Sequence, residues 1–129
     1  MKPEIKLVFE QLNNAIRQLE QATEAQVCSD SRLIIDATIH RFEFTFELFW
    51  KALKKQLLDE YGINVNGPKP VLQEAYQNNL IENEKIWLAM LNDRNLTLHT
   101  YKEVLAFEVY ENIKSYVPFL RKSFDKLLS

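Results

Sequence analysis

The stretch Arg94-Asn95-Leu96-Thr97-Leu98-His99-Thr100-Tyr101 concentrates chemistry in a chain that has only two histidines. An arginine and a histidine close together suit phosphodiester cleavage. Histidine takes a proton from a ribose 2′-hydroxyl, or gives one to the leaving 5′-oxygen, near neutral pH. Arginine offers a planar fork to the non-bridging phosphate oxygens and steadies the charge that builds there. This chemistry requires no metal, and the sequence offers no metal site: His40 and His99 are far apart and Cys28 stands alone. It has no phosphate-binding glycine loop and no nucleophile elbow.

Arg94 and His99 are five residues apart. On one unbroken helix that spacing turns them about 140° away from each other. Thr100-Tyr101-Lys102-Glu103 has the Thr-x-x-Glu form of a capping box. It predicts a helix starting with Thr100 as N-cap, with His99 just outside it and Arg94 and Asn95 near the end of the preceding helix. Such a corner would let Arg94 and His99 swing together. It would also set His99 beside the positive end of a helix dipole, which disfavours the imidazolium. The plain alternative is a polar helix corner in which Thr100 and Glu103 cap and Tyr101 is a half-buried aromatic.

Neighbouring residues carry the same two readings. Asp93 either holds Arg94 in place or is a surface carboxylate. Asn95 either hydrogen-bonds His99 or substrate, or ends the helix. Glu43, Glu47 and Lys51 are one turn apart and read as a solvated face with an ion pair. Acidic groups beside a cleft could instead orient Arg94 or His99. Arg41 and His40 read as surface or interface residues, and Phe42, Phe44, Phe46, Phe49 and Trp50 as core and dimer contact.

The elements that must position these groups read as helices throughout. Ile5, Val8, Leu12, Ala15, Leu19 and Ala22 make an apolar stripe over 3–27. Ile35, Ile39, Phe42, Phe46, Phe49 and Leu53 make another over 31–61, with Gly62 as its C-cap. Phe44, Leu48 and Trp50 lie off that stripe, so this helix is central or shared with another chain. A loop containing both glycines follows. A short helix over 70–79 turns Val71, Leu72, Ala75 and Tyr76 inward. Another begins near 82 and carries Ile86, Leu88, Ala89, Met90 and Leu91. The last spans 101–128, with Val109, Ile113, Val117, Leu120, Phe124 and Leu127 on one side, and Pro118 is expected to kink or divide it. The expected fold is all-α: an up-and-down bundle of about five helices, one domain over 1–129.

Composition sets the outer limits. The chain has 129 residues, 47% of them hydrophobic, enough for one domain with a core. A net charge of −2, from 16 basic and 18 acidic residues, is not that of a chain gripping nucleic acid by charge alone, so any RNA contact is local. One cysteine excludes an internal disulfide and suits a reducing cytoplasm. The segment MKPEIKLVFEQ lacks the apolar run of a signal peptide, and no window approaches the roughly 18 apolar residues of a membrane span. A soluble cytoplasmic protein is expected.

Arg94-Asn95-(three residues)-His99-Thr100-Tyr101 resembles the Arg-x(4–6)-His signature of the HEPN superfamily, in its form Arg-x4-His-x-Tyr. Arg41-Phe42-Glu43-Phe44-Thr45-Phe46-Glu47-Leu48 with Trp50-Lys51 resembles the long second helix of one branch, the nucleotidyltransferase substrate-binding proteins. These are HepT-like partners of a minimal nucleotidyltransferase. Pro70-Val71-Leu72-Gln73-Glu74-Ala75 and Trp87-Leu88-Ala89-Met90-Leu91-Asn92-Asp93 fit the same branch, so the resemblance covers nearly the whole chain. It implies a homodimer whose two Arg-x4-His corners face one composite cleft, with Arg94 and His99 catalytic; Asn95 and Asp93, by their spacing, are the expected supporting residues. It implies a separately encoded nucleotidyltransferase partner, RNA as target, and no cofactor. In toxin–antitoxin pairs of this type the partner adenylylates the motif tyrosine, here Tyr101, and silences a metal-independent endoribonuclease. The other implied role is a non-catalytic subunit that binds substrate or nucleotide for the nucleotidyltransferase.

Overall fold

The computed structural model describes residues 2–24, 32–99 and 103–129, with the backbone alone at 98, 99 and 103. The order is α1 (Pro3–Glu24), α2 (Arg32–Tyr61), α3 (Pro68–Gln77), α4 (Glu84–His99) and α5 (Glu103–Leu128). Every described element is a helix, and the fold is the expected all-α bundle. No helix among the described residues is long and apolar enough to cross a membrane.

Cross-helix pairs fix the directions. Thr45 and Arg41 of α2 reach the carbonyls of Ala15 and Gln18 on α1, so these two helices run antiparallel. Glu43 and Glu47 meet Thr97 and Arg94, which makes α4 antiparallel to α2. Tyr116 meets Asp93 while Phe119 meets Trp87, which makes α5 antiparallel to α4. The four long helices α1, α2, α4 and α5 therefore alternate in direction, with the short α3 in the α2–α4 connection.

α1 starts with proline and Glu4 in its first turn, where a missing N–H is harmless and an acid suits the dipole. Its buried face is Ile5, Phe9, Leu12, Ala15, Ile16 and Leu19. Phe9 and Ile16 join the expected stripe, and Val8 and Ala22 are only partly covered, because α1 packs against both α2 and α5. In α2, Phe42, Phe46, Phe49 and Leu53 are fully buried, Trp50 nearly so, and Phe44 is exposed. The Thr45 hydroxyl satisfies itself on the Arg41 carbonyl at 2.7 Å.

α2 ends at Gly62, whose φ of +67° is the left-handed geometry that glycine takes at no steric cost; its N–H bonds the Leu58 carbonyl at 3.1 Å. α3 begins earlier than expected because Pro68 and Pro70 both fit a first turn, which needs no N–H donors. It closes on Asn79 at φ +62°, with Leu80 N–H on the Ala75 carbonyl and Asn79 N–H on that of Tyr76. This is the paired bonding of a Schellman end. Tyr76 is exposed and not inward, since it lies at the edge of the short apolar face of Val71, Leu72 and Ala75. α4 starts at Glu84 and not near 82 because Asn83, at φ +57°, is outside helical geometry. Leu88 is half-buried and Ala89 exposed, whereas Trp87 is fully buried. α5 is not divided at Pro118: the helix is continuous, and the proline sits on its exposed side, where a lost ladder bond costs least.

The core centres on Trp87. Its ring packs on Phe49 at 4.8 Å, Phe119 at 5.7 Å and Phe46 at 6.5 Å, so α2, α4 and α5 meet there. Its indole N–H is buried without a hydrogen-bond partner among the described residues. The residue therefore contributes through volume and ring contacts, against the cost of an unpaired donor. Trp87→Ala should cost about 3–5 kcal/mol of stability, as large core truncations do. Trp87→Phe, which keeps an aromatic ring and removes an unpaired donor, should cost less than half as much. Urea unfolding of the two variants checks this; equal losses would mean that the indole N–H matters.

Candidate functional site

The end of α4 is built by two adjacent residues that face different neighbours. Asp93 is 7% exposed and turns toward α5. Its Oδ2 accepts the Tyr116 hydroxyl at 2.6 Å and the Asn112 amide at 3.1 Å. The Tyr116 ring stacks on Phe42 at 5.7 Å, so the tie reaches α2 as well. Burial, then the hydrogen bond and negative charge of Asp93, push the Tyr116 phenol well above its usual range. Asp93 thus neither holds Arg94 nor lies on the surface, contrary to both sequence expectations; it fastens α4 to α5.

Arg94 points the other way, toward α2. Its Nη2 donates to Glu47 Oε2 at 2.7 Å and its Nη1 to Asn95 Oδ1 at 3.0 Å. The Arg94 side chain is 19% exposed. One turn on, the Thr97 hydroxyl lies 2.6 Å from Glu43 Oε2. Glu47 also keeps the expected ion pair with Lys51, at 3.6 Å through its other oxygen. The acidic pair on α2 is therefore not a purely solvated face: each member holds a residue of α4. Asn95, expected to contact His99 or to end the helix, accepts from Arg94 while the helix runs on.

The corner expected between Arg94 and His99 is absent. Both belong to α4, which is continuous to His99. The backbone at 99 thus belongs to the carbonyl end of α4. On a continuous helix the two positions are about 140° apart. Position 99 shares its register stripe with Asn92 and Asn95, both exposed, while Arg94 is turned inward to Glu47. One chain does not bring the two positions onto one face of α4. Thr100, Tyr101 and the capping box through them lie outside the described residues. Arg41 ties α2 to the Gln18 carbonyl at 2.8 Å, and His40 is exposed.

Comparison with known proteins follows the same outline. The family profile described as nucleotidyltransferase substrate binding protein like matches residues 7–129. The chain belongs to that family. A Haemophilus influenzae protein named "Probable ribonuclease HepT" is 35% identical over 88 residues, which are 65% of this chain and 60% of that protein. The aligned stretch is thus less than two thirds of that relative's length. A crystal structure from Thermus thermophilus superposes with a TM-score of 0.81 at 32% identity, covering 90% of this chain and 98% of the other. A second solved structure, from Haemophilus influenzae and described as having the fold of a substrate binding domain of a nucleotidyltransferase, gives 0.79 at 29% identity over 94% and 99% of the two chains. The HEPN-like substrate-binding family inferred from the two sequence blocks is the family found.

Sequence reasoning missed Tyr116 and Asn112, which are 23 and 19 residues from Asp93. The available signal was Asp93 itself: it follows Ile86 and Met90 on the inward stripe of α4, where a carboxylate demands donors. The Tyr116 tie generates a pH prediction. The fold favours the neutral phenol, whose folded pKa is raised. Its contribution is therefore complete below about pH 10, the ordinary tyrosine value, and is lost as pH rises beyond it. Between pH 8 and pH 11 the wild-type chain should lose more stability than Tyr116→Phe, measured as urea midpoints. Parallel losses in both proteins would show that Tyr116 is not the linked group.

Proposed function

We propose that this chain is the HEPN component of a two-gene nucleotidyltransferase pair and a metal-independent endoribonuclease toxin silenced by its partner. Arg94 grips the scissile phosphate and His99 moves the proton. The observation that carries this reading is the pre-set Arg94 fork. Of the five N–H donors of a guanidinium, two are used, by Glu47 and Asn95. The other three have no hydrogen-bond partner among the described residues and suit phosphate oxygens. The name of the Haemophilus relative supports the same chemistry.

The divergence of positions 94 and 99 on α4 favours a homodimer, in which one chain's histidine works opposite the other's arginine. The outer face of α2 beside the site has the surface for it: Leu33 is 80% exposed and Phe44 55%. The core takes Phe42, Phe46, Phe49 and Trp50, so of the five aromatic residues expected at core and dimer contact Phe44 is the one left exposed for a second copy. Tyr101, two residues after His99, is the proposed acceptor of AMP. A negative phosphodiester there competes for the Arg94 fork and blocks the RNA phosphate. The second reading, a non-catalytic subunit presenting substrate to the nucleotidyltransferase, is favoured by the family's description.

The purified chain should cleave RNA in EDTA and leave a 2′,3′-cyclic phosphate. Arg94→Ala and His99→Ala should each lower the rate by about 10²-fold or more without unfolding the protein. A requirement for divalent metal, or activity surviving His99→Ala, rules the mechanism out. No cleavage, together with tight partner binding, turns the choice to the substrate-binding subunit.

The control step has its own measurement. Incubation with the partner nucleotidyltransferase, ATP and magnesium should add AMP to the wild-type chain and not to Tyr101→Phe, read as intact mass. An unchanged mass with an active partner removes Tyr101 from the scheme. Light scattering at micromolar concentration should give a dimer; a monomer counts against the composite cleft.

A further inference from the structure

Glu47 belongs to α2 and lies 47 residues from Arg94, so no local motif joins them. Their ion pair is short, 2.7 Å, and set back from solvent: the two side chains are 19% and 31% exposed. A pair of this kind is screened less than an open surface bridge. It is also braced. One turn away on both helices, Glu43 takes the Thr97 hydroxyl at 2.6 Å, a length typical of a hydroxyl on a charged carboxylate. The two rungs fix α4 against α2 in rotation as well as in distance.

A carboxylate beside a phosphate-binding arginine has two opposite possible effects. It can cancel the positive charge, or it can fix the direction of the fork. The local charges decide between them. Glu47 Oε2 takes Arg94, and Oε1 faces Lys51 at 3.6 Å. One negative group stands between two positive ones, so Lys51 offsets the charge of Glu47, while the single oxygen of Glu43 in contact is taken up by the Thr97 hydroxyl. What the held side chain keeps for an anion is the unused donors of Arg94. A free arginine side chain would have to give up its rotamer freedom when it gripped a phosphate; one already held has given it up.

We propose that Glu47 is a positioning residue, which holds the Arg94 fork in the orientation that meets the phosphate while Lys51 offsets its charge. The role rests on the ribonuclease reading given above, but the clamp itself can be observed without cleavage.

Two measurements on the full chain separate the cases. In 15N-resolved NMR, restricted Arg94 should show distinct Nη proton signals, assigned by their loss in Arg94→Ala. They should merge in Glu47→Ala and stay distinct in Glu43→Gln. In the cleavage assay, Glu47→Ala should lower kcat by about ten-fold or more with little change in KM, because a mis-aimed group costs most in the transition state. Glu47→Gln, which keeps an acceptor but loses the charge, should fall between wild type and Glu47→Ala. A thermal midpoint close to wild type excludes simple unfolding as the cause. Unmerged Nη signals in Glu47→Ala overturn the clamp, whatever the activity. Merged signals with unchanged kcat, in a protein that Arg94→Ala inactivates, overturn the positioning role and leave the ribonuclease reading standing. Cleavage that survives Arg94→Ala overturns the ribonuclease reading, and the positioning role with it.

Discussion

The packing of α2 against all four other helices is the constraint from which the site takes its geometry. A helix so placed must be apolar over most of its circumference, and its low amphipathicity follows from that. Its remaining sector lies beside α4, and there it places Glu43 and Glu47. These carboxylates share a helix with Phe42 and Phe46, which are closed in by the core. A close-packed interior does not let such a helix roll or slide. The acids therefore stand at fixed points, and α4 is read against them.

α4 answers with a division of labour between adjacent residues. Successive positions on a helix are about 100° apart. Asp93 and Arg94 can thus serve different neighbours without competing. Asp93 turns its charge into the α4–α5 seam, where two donors meet it. Arg94 turns toward α2 and keeps donors to spare. The first is a structural use of a carboxylate, with no ion pair among the described residues and a phenol held neutral. The second is a charge kept available. On the far side of the bundle, Arg121 is spent differently: Glu20 holds it through two nitrogens and Asn13 takes a third contact, tying α5 to α1.

Much of this was legible in the sequence because helical periodicity reports which residues face inward. The five helices, the Gly62 stop and the buried lines of α2 and α5 follow from spacing alone. Periodicity failed where a helix has two neighbours, as with Phe9 and Ile16, or where an element is too short to average, as with Tyr76. It also misplaced the end of α4. The Thr-x-x-Glu pattern marks where a helix can begin, but it says nothing of how far the previous one continues. The partners of Asp93 and Arg94 were hidden for a different reason. Each lies on another helix, and a contact between helices depends on how both are rotated, which one stretch of sequence does not state. The sequence blocks on the second and fourth helices, beside the Arg-x4-His spacing, named the family, while the contact of Glu47 with Arg94 needed the bundle.

The connection between α2 and α3 has the opposite character. From 62 to 67 the chain is non-helical; Gly62 and Gly67 take positive φ, and Asn66 bonds Lys54 and the Gly67 N–H. Ile63 and Val65 pack on the core, but an extra residue beside the exposed Asn64 or Asn66 lengthens the connection and leaves both helices in register. An extra residue inside α2 turns everything beyond it by about 100°. Placed between Glu47 and Leu53, it would face the acids away from α4 or pull the lower aromatic core apart. Chain length can change at one point of this fold and hardly at all a few turns away.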